Sequence, residues 1–377
     1  MSNEILAIGG VRRALAVRDL TDVREGPHAL QQLVAAAVEA VCRSSSCEAR
    51  IERHSPIVSV AANYDALHYP PDGAARDARY TRYVCETAVL RTQTSAMIPP
   101  ALRRLDPHLA NDVLLVCPGL VYRRDSIDRL HTGEPHQLDL WRISRSLALN
   151  AGDLQQMIHT VVNAVLPGRA VRTTAAVHPY TVDGLQIDVR ERDVWIEIGE
   201  CGLALPALLA ENGHPAPTTG LAMGLGLDRI LMLRKGLDDI RLIRSTDARI
   251  SAQMCDLTPY RPVSSMPAVQ RDLSIVVARD VDAEQLGDGV RAALGDRSDL
   301  VESIAVQSET PYDALPASAV SRLGMAPDQK NVLLRVVLRA LDRTLTHEEC
   351  NVLRDEIYAA LHRGARAEWA ARSPTSR

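Results

Sequence analysis

The 377-residue sequence contains no phenylalanine, and its positive charge is nearly all arginine, because Lys235 and Lys330 are its only lysines. Codon bias would explain both features. Long apolar runs are also missing: none approaches the roughly 20 residues that span a bilayer, and the N-terminus lacks the apolar core of a signal peptide. We therefore expect no membrane partner and a cytoplasmic location.

An excess of positive charge is absent as well. The formal net charge of -4 offers no general attraction to nucleic acid, so an RNA partner would need a local basic surface.

The seven cysteines are scattered, and only Cys42 and Cys47 lie close together. Because this C-x4-C pair has no second pair of ligands nearby, reduced thiols are expected rather than a metal site.

The length of the chain favours two domains over a single hydrophobic core. Residues 256–267 are rich in turn-forming residues and lack any periodic pattern, which is typical of a linker. We predict a first domain at 1–258, a linker at 259–266, a second domain at 267–365 and a tail at 366–377.

Apolar periodicity predicts an α+β fold. Residues 27–43 predict an amphipathic helix, residues 113–121, 185–189 and 194–198 predict strands of one sheet, and residues 220–236 predict a strand and a helix that ends at Gly236. Beyond Pro267 the predicted order is strand, helix, strand, strand, helix. This order suits a small antiparallel sheet with two helices on one face, a ferredoxin-like layer.

A dense cluster of charge follows the apolar run at 113–117. Its members include Arg123, Arg124, Asp125, Asp128, Arg129 and His131. An isolated charge beside a core costs several kcal/mol unless it is paired or meets a ligand. The cluster therefore predicts either an internal ion network or an anionic guest.

Two other segments carry candidate binding groups. "LRTQTS" at 90–95 offers hydroxyl and amide groups for a small polar ligand, although a surface turn explains it equally well. In "GLGLDR", Gly224 and Gly226 would let a ligand approach the backbone while Arg229 binds anionic oxygens. Glu197 lies on a predicted strand whose other inward-facing residues are apolar. We expect a buried carboxylate there, paired with Mg2+ on a nucleotide or with Arg123.

The order and spacing of these segments resemble phenylalanyl-tRNA synthetase, a class II aminoacyl-tRNA synthetase of the single-chain type. The resemblance extends over most of the chain. It rests on "NYDAL" at 63–67, "ARD" at 75–77, "LRTQTS", "VYRRDSID" at 121–128 with "HQ" at 136–137, "PYT" at 179–181, "GLAMGLGLDRILML", and the C-terminal "MPAVQRDLSIVV" and "DRTLTHEE".

The resemblance implies a class II antiparallel-sheet catalytic domain followed by a ferredoxin-fold anticodon-binding domain. It also implies ATP- and Mg2+-dependent formation of an aminoacyl adenylate and transfer of the acyl group to tRNA. By matching positions, Arg123 and Arg229 are the catalytic arginines of motifs 2 and 3. The implied ATP site comprises Arg123, His131, Glu197, Gly224, Gly226 and Arg229, with Glu197 near the metal.

The matching positions for the amino acid are Gln93, Ser95, Gln137, Asp139, His178, Tyr180 and Ala222. Several positions in and around this set depart from the family pattern. The family usually has THTS at 92–95, FHQxEG at 135–140 and FPFTEP with two rings at 178 and 180. Pro135 thus lacks the ring that would stack on adenine. Asp139 keeps a carboxylate, but on a shorter side chain than the glutamate of the family pattern. The substrate is therefore phenylalanine in a repacked pocket, or a hydroxylated, modified or different amino acid.

Three functions follow for testing. The first is a phenylalanyl-tRNA synthetase or close paralogue, acting as a monomer or homodimer, and the second is a ligase that activates an amino acid for a biosynthetic pathway. The third is a non-catalytic tRNA-binding or regulatory protein. A synthetase without phenylalanine could still be translated when its own charged tRNA is scarce, which is an alternative to codon bias.

Overall fold

The computed structural model describes residues 5–77, 80–108, 112–124, 126–263 and 266–366. Of these, residues up to 123 and from 134 to 261 form one compact unit. Residues 124–133 and those from 262 onwards form a second. The predicted domain boundaries stay a prediction, and the units differ from them chiefly in the segment 124–133. Of the predicted tail, only Arg366 lies within the described residues.

In its described residues the first unit contains ten strands. They are β1 Glu48–Ile51, β2 Ile57–Ser59, β3 Tyr83–Cys85, β4 Ala88–Leu90, β5 Val113–Leu120, β6 His136–Ser144, β7 Val171–Ala175, β8 Thr181–Glu191, β9 Val194–Ala204 and β10 Thr219–Gly226. Seven form one sheet in the order β1-β5-β6-β10-β9-β8-β7, and a small sheet has the order β2-β4-β3. Only the β1 and β5 pair is parallel in the described sheets.

Helices cover and connect these strands. They are α1 Ile8–Ala16, α2 Ala29–Ser45, α3 Val60–Asn63, α4 Ile98–Leu102, α5 Ala151–Val165, α6 Pro206–Glu211, α7 Leu227–Lys235 and α8 Ala248–Ser251. The prediction of an amphipathic helix is confirmed by α2, which buries Leu30, Leu33 and Val41. The predicted stop at Gly236 is also confirmed, because this residue caps α7 with a φ of 69°.

The centre of the large sheet is built for close approach of strands. All eight residues of β5 are buried, as its continuous apolar run predicts. A Cβ atom at Gly199 of β9 would collide with the carbonyl oxygen of Gly224 on β10, so only glycine fits there. The pairing of β6 with β10 places Asp139 directly opposite Gly224.

The second unit has a three-stranded antiparallel sheet in the order β11-β13-β12, formed by β11 Val269–Ala278, β12 Val301–Pro311 and β13 Gln329–Leu338. Helices α9 Ala283–Leu294 and α11 His347–Leu361 share one hydrophobic core with this sheet. The predicted order of strands and helices is confirmed, and a short α10, Ala317–Leu323, is added. None of the helices in the described parts of the chain has the length and apolar character to cross a bilayer.

Candidate active site

Asp139 of β6 is a carboxylate deep inside the first unit, with 3% of its surface exposed. It accepts hydrogen bonds from Thr94 Oγ1 at 2.6 Å, Ser95 Oγ at 2.9 Å and Trp141 Nε1 at 3.2 Å. Burial raises the pKa of Asp139, while these three hydrogen bonds act in the opposite direction. No basic side chain in the described ranges pairs with it, so the carboxylate can accept a cation from a ligand.

The loop that donates to Asp139 is held by a second layer of hydrogen bonds. The Asn63 side chain donates to Thr92 Oγ1 at 2.9 Å and accepts from the Thr92 amide at 3.2 Å. The Thr94 amide donates to Gln137 Oε1 at 3.3 Å. These contacts bring the predicted residues Ser95, Gln137 and Asp139 together at one place in the sheet.

Strand β10 supplies the small residues beside this carboxylate. A Cβ atom at Gly224 would lie 3.8 Å from Asp139 Oδ2 and would cover it on that side. Its neighbours Ala222 and Gly226 lie opposite Trp141 and Gln137. Gly224 therefore lies beside Asp139, in the segment predicted for the nucleotide.

Tyr180 is the centre of an aromatic cluster. Its ring centroid lies 5.8 Å from that of His178, 6.1 Å from that of Trp141 and 6.2 Å from that of Tyr69. Burial raises the pKa of the Tyr180 phenol, as do Tyr69, Asp139 and Glu200, while a hydrogen bond with Ser95 acts against them. The phenol is therefore a neutral hydrogen-bonding group near the buried carboxylate.

Further polar atoms lie at the border of the same aromatic cluster. The Tyr69 hydroxyl donates to Gln93 Oε1 at 2.7 Å, and Gln93 Nε2 donates to the Asn63 carbonyl at 3.0 Å. His178 Nε2 lies 3.1 Å from Glu200 Oε2, at ion-pair distance, and the proximity of His178 is the main reason why the pKa of Glu200 is lowered. All the predicted amino-acid residues thus lie in or beside one polar-edged aromatic group.

The two predicted arginines come close to a shared carboxylate. Arg123 Nε donates to the Thr92 carbonyl at 2.9 Å, and Arg229 Nη1 donates to the Glu197 carbonyl at 3.1 Å. The pKa of Glu197 is raised by partial desolvation and by the charges of Glu200 and Asp188, while the charges of Arg229 and Arg123 lower it. Both guanidinium groups therefore lie within electrostatic reach of one side chain, although they come from distant parts of the sequence.

The expectation that Glu197 is buried is wrong. Glu197 is exposed, whereas the next residue of β9, Ile198, is buried, and the pairing of β8 with β9 shifts register at this point. In the described ranges no group of three or more acidic, histidine or cysteine side chains could hold a metal. Mg2+ is commonly held by one or two carboxylates together with substrate phosphates and water, and Glu197 with Glu200 fits that mode.

His131 lies in the second unit. Its Nδ1 atom is 2.7 Å from Asp128 Oδ2, so its neighbour is a side chain of its own segment. Asp125 of the same predicted cluster lies outside the described residues. The proximity of His131 to a nucleotide stays a prediction.

Sequence reasoning missed a buried network that positions Arg229. His136 is fully buried, with Nδ1 3.0 Å from Asp228 Oδ1, and its Nε2 accepts from the Leu20 amide and lies 3.1 Å from Arg244 Nη2. Because Nε2 accepts, Nδ1 carries the proton and donates to Asp228. Asp228 stands beside Arg229 in the first turn of α7, so the network fixes the helix end that presents this arginine.

Thr94 and Trp141 were also missed as partners of Asp139. Trp141 follows Asp139 by two residues on the same strand and therefore shares its face, which is a signal that the sequence did contain. Thr94 lies within "LRTQTS", but its contact with a residue 45 positions away has no local signal.

Comparison with known proteins gives the family. Residues 24–254 match the family described as tRNA synthetases class II core domain (F), and residues 264–369 match the ferredoxin-fold anticodon binding domain. The first match covers more than half of the chain. The chain therefore belongs to the class II tRNA synthetase core family, which confirms the predicted family and fold class.

Its curated relatives include the alpha subunit of phenylalanine–tRNA ligase from Prochlorococcus marinus (strain NATL2A), which is 36% identical over 192 residues, covering 51% of this chain and 56% of that protein. The corresponding subunit from Synechocystis sp. (strain ATCC 27184 / PCC 6803 / Kazusa) is 34% identical over 194 residues, with the same coverage. The chain thus spans little more than half the length of these relatives. A solved pyrrolysyl tRNA synthetase structure from Desulfitobacterium hafniense is 18% identical, with a TM-score of 0.45 over 59% of this chain and 75% of that one.

Proposed function

We propose that this chain activates an amino acid with ATP to form an aminoacyl adenylate and transfers the acyl group to tRNA. The observation that carries the proposal is Asp139, a buried carboxylate without a basic partner in the described ranges, in the unit that also presents Arg123 and Arg229. Membership of the class II core family supports the same activity.

Each group has a role in this reaction. Asp139 would hold the α-ammonium group of the amino acid, because pairing offsets the cost of a buried charge. The substrate carboxylate attacks the α-phosphorus of ATP, and pyrophosphate leaves. Arg123 and Arg229 would bind phosphate oxygens and offset the negative charge of the transition state. Glu197 and Glu200 would hold Mg2+, which neutralises phosphate charge when bound.

The substrate side chain would contact Tyr180, His178 and Ala222. Two of these three residues present hydrogen-bonding groups, and a site with such groups discriminates against a substrate that leaves them unpaired. We therefore favour phenylalanine derivatives with a polar ring substituent over phenylalanine itself. Gln93 and Gln137 would hold the loop and strand that shape this pocket, as their contacts with Tyr69 and Thr94 support.

The role of tRNA has one observation in its favour and one against it. The match of residues 264–369 to an anticodon-binding domain supports tRNA as a partner. In residues 262–377, however, acidic side chains outnumber basic ones, and arginines such as Arg297 and Arg335 pair with Glu356 and Asp272. Because phosphate contacts dominate RNA affinity, this favours as second candidate a paralogue that activates an amino acid for a biosynthetic pathway.

Amino-acid-dependent exchange of pyrophosphate into ATP, over a panel of amino acids with and without total tRNA, tests these proposals. Arg229→Ala should abolish exchange, while Arg43→Ala, which removes an exposed arginine of α2 paired with Glu39, should leave it intact. Exchange without any charging of tRNA would support the second candidate. The absence of exchange with every amino acid would leave a non-catalytic tRNA-binding or regulatory role. A cytoplasmic location and a monomer or homodimer stay predictions.

A further inference from the structure

Two thiols of the first unit, those of Cys42 and Cys47, lie in contact, with their Sγ atoms 3.9 Å apart. Cys42 lies in the last turn of α2 and is half-buried, whereas Cys47 directly precedes β1 and is 8% exposed. Because the sulfur atoms of a disulfide are about 2.0 Å apart, a bond would require them to approach by about 2 Å. A change of side-chain rotamer moves a sulfur atom by a comparable distance.

The backbone on both sides of this pair is held by regular structure. Before it, α2 packs against α5 and α7 and buries Leu33 and Val41. After it, the Glu48 amide donates to the Asp112 carbonyl at 3.0 Å, where β1 begins to pair with β5. Between the two cysteines, Ser46 turns the chain in the left-handed conformation, with a φ of 51°. The fold therefore keeps the two thiols close together, which raises their effective concentration.

The environments of the two thiols differ. Burial raises the pKa of Cys47 to about 12, helped by the charge of Cys42 and by the hydrogen bond between the two thiols. Cys42 is the more exposed of the two, so it is the thiol that meets a dissolved oxidant first. Once Cys42 carries a substituent, both of its contributions to the raised pKa of Cys47 are gone, while the charge of Arg142 still lowers that pKa. Cys47 is therefore placed to react second, with the sulfur atom of Cys42.

We propose that Cys42 and Cys47 form a reversible disulfide, a redox-sensitive modification site between the end of α2 and the start of β1. The co-reactant is a low-molecular-weight disulfide. The Cys42 thiolate attacks one of its sulfur atoms, the S–S bond of the reagent breaks, and one thiolate leaves. Cys47 then releases its proton to water and attacks the Cys42 sulfur atom, and the second thiolate leaves. Two protein thiols are thus oxidised to one disulfide while the reagent is reduced to two thiols, and an excess of a small thiol reverses the reaction.

Peptide mapping of the full chain tests this site, because Arg43 separates the two cysteines and trypsin cuts after it. The native protein is equilibrated with reduced and oxidised glutathione, and the remaining free thiols are blocked with iodoacetamide before digestion. The expected product is the peptide 25–43 joined to the peptide 44–50. It should be two hydrogen atoms lighter than the two separate peptides together, and dithiothreitol should split it.

Two variants show which thiols take part. Cys42→Ser should lose the linked product, whereas the control Cys85→Ser, which removes an exposed thiol of β3, should keep it. The parent chain gives the linked product on its own, so the test does not depend on the folding of either variant.

The same titration in concentrated urea separates the effect of the fold from that of the short spacing in the sequence. The native pair should be half-oxidised at a proportion of glutathione disulfide about tenfold lower than the unfolded pair requires, because the fold holds the thiols together. An equal requirement in both states would overturn the inference, as would native protein that carries glutathione on Cys42 without any linked peptides. The readout involves neither ATP nor an amino acid, so the inference is tested independently of the proposed function.

Discussion

The variant Asp139→Asn should lose amino-acid activation while it keeps or gains stability. Asparagine preserves the shape and the acceptor oxygen, so Ser95 and Trp141 can still donate to it, and the Thr94 hydroxyl can turn to accept. What disappears is the negative charge. A hydrogen bond to a charged group contributes about 1.5–3 kcal/mol, so kcat/KM for the amino acid should fall roughly tenfold to a hundredfold.

The effect on stability has the opposite sign. Burial raises the pKa of Asp139 above its usual value, so the folded protein binds the proton more tightly than the unfolded chain does. The contribution of this group to stability is complete below its ordinary pKa and is lost as pH rises through the raised one. Above the ordinary pKa of an aspartate the parent therefore carries a cost for burying this titratable group, which Asp139→Asn does not.

Urea denaturation of parent and variant at pH 7, combined with pyrophosphate exchange, checks both halves of the prediction. The control Asp272→Asn removes an exposed carboxylate that pairs with Arg335, and it should leave exchange unchanged. A lower urea midpoint for Asp139→Asn, or a parental kcat/KM for the amino acid, would show that this carboxylate is a structural acceptor and not the ammonium ligand.

Further outcomes are expected for Asp228, for Tyr180 and for Mg2+. Asp228→Asn should destabilise the protein by about 1.5–3 kcal/mol in urea at pH 7, because it removes the charge of a buried carboxylate that accepts hydrogen bonds from His136. Burial raises the pKa of Asp228, but His136 and Arg244 lower it more, so its pKa in the folded protein lies below the usual value. The contribution of this group to parental stability should therefore be complete above the usual pKa and be lost as pH falls from there through the lowered pKa. Tyr180→Phe should raise kcat/KM for phenylalanine relative to a ring-hydroxylated analogue by about tenfold in exchange assays. Chelation of Mg2+ with EDTA should abolish exchange, and Glu197→Gln should raise the Mg2+ concentration needed for half-maximal rate.

Local signals predicted much of the framework. The apolar run of β5, the glycine cap of α7 and the order of elements in the second unit all follow from side-chain period and capping chemistry. Thr346 and Glu349 form the capping box that begins α11. Such features depend on residues within one or two turns of each other, and that is why they can be predicted from sequence.

Features that depend on distant pairing could not be predicted in this way. The exposure of Glu197 depends on which face of β9 is covered, and the apolar residues on either side of it do not reveal that face. The three donors to Asp139 include two from a loop more than 40 residues earlier in the chain. The membership of residues 124–133 in the second unit depends on an edge strand that lies much later in the chain.

The charged residues after β5 had two explanations, an internal ion network and an anionic guest, and different residues of the cluster fit different explanations. Arg124 and Arg129 have carboxylate neighbours in Asp288 and Glu302, so this part of the cluster belongs to an ion network of the second unit. Arg123 is exposed and, within the described ranges, pairs with no carboxylate, since its hydrogen bond goes to a backbone carbonyl. A guanidinium group in that situation keeps donors available for an anion. In the chain, the division between the two units after Arg123 therefore coincides with the division between a guanidinium group that pairs with no carboxylate in the described ranges and arginines that do.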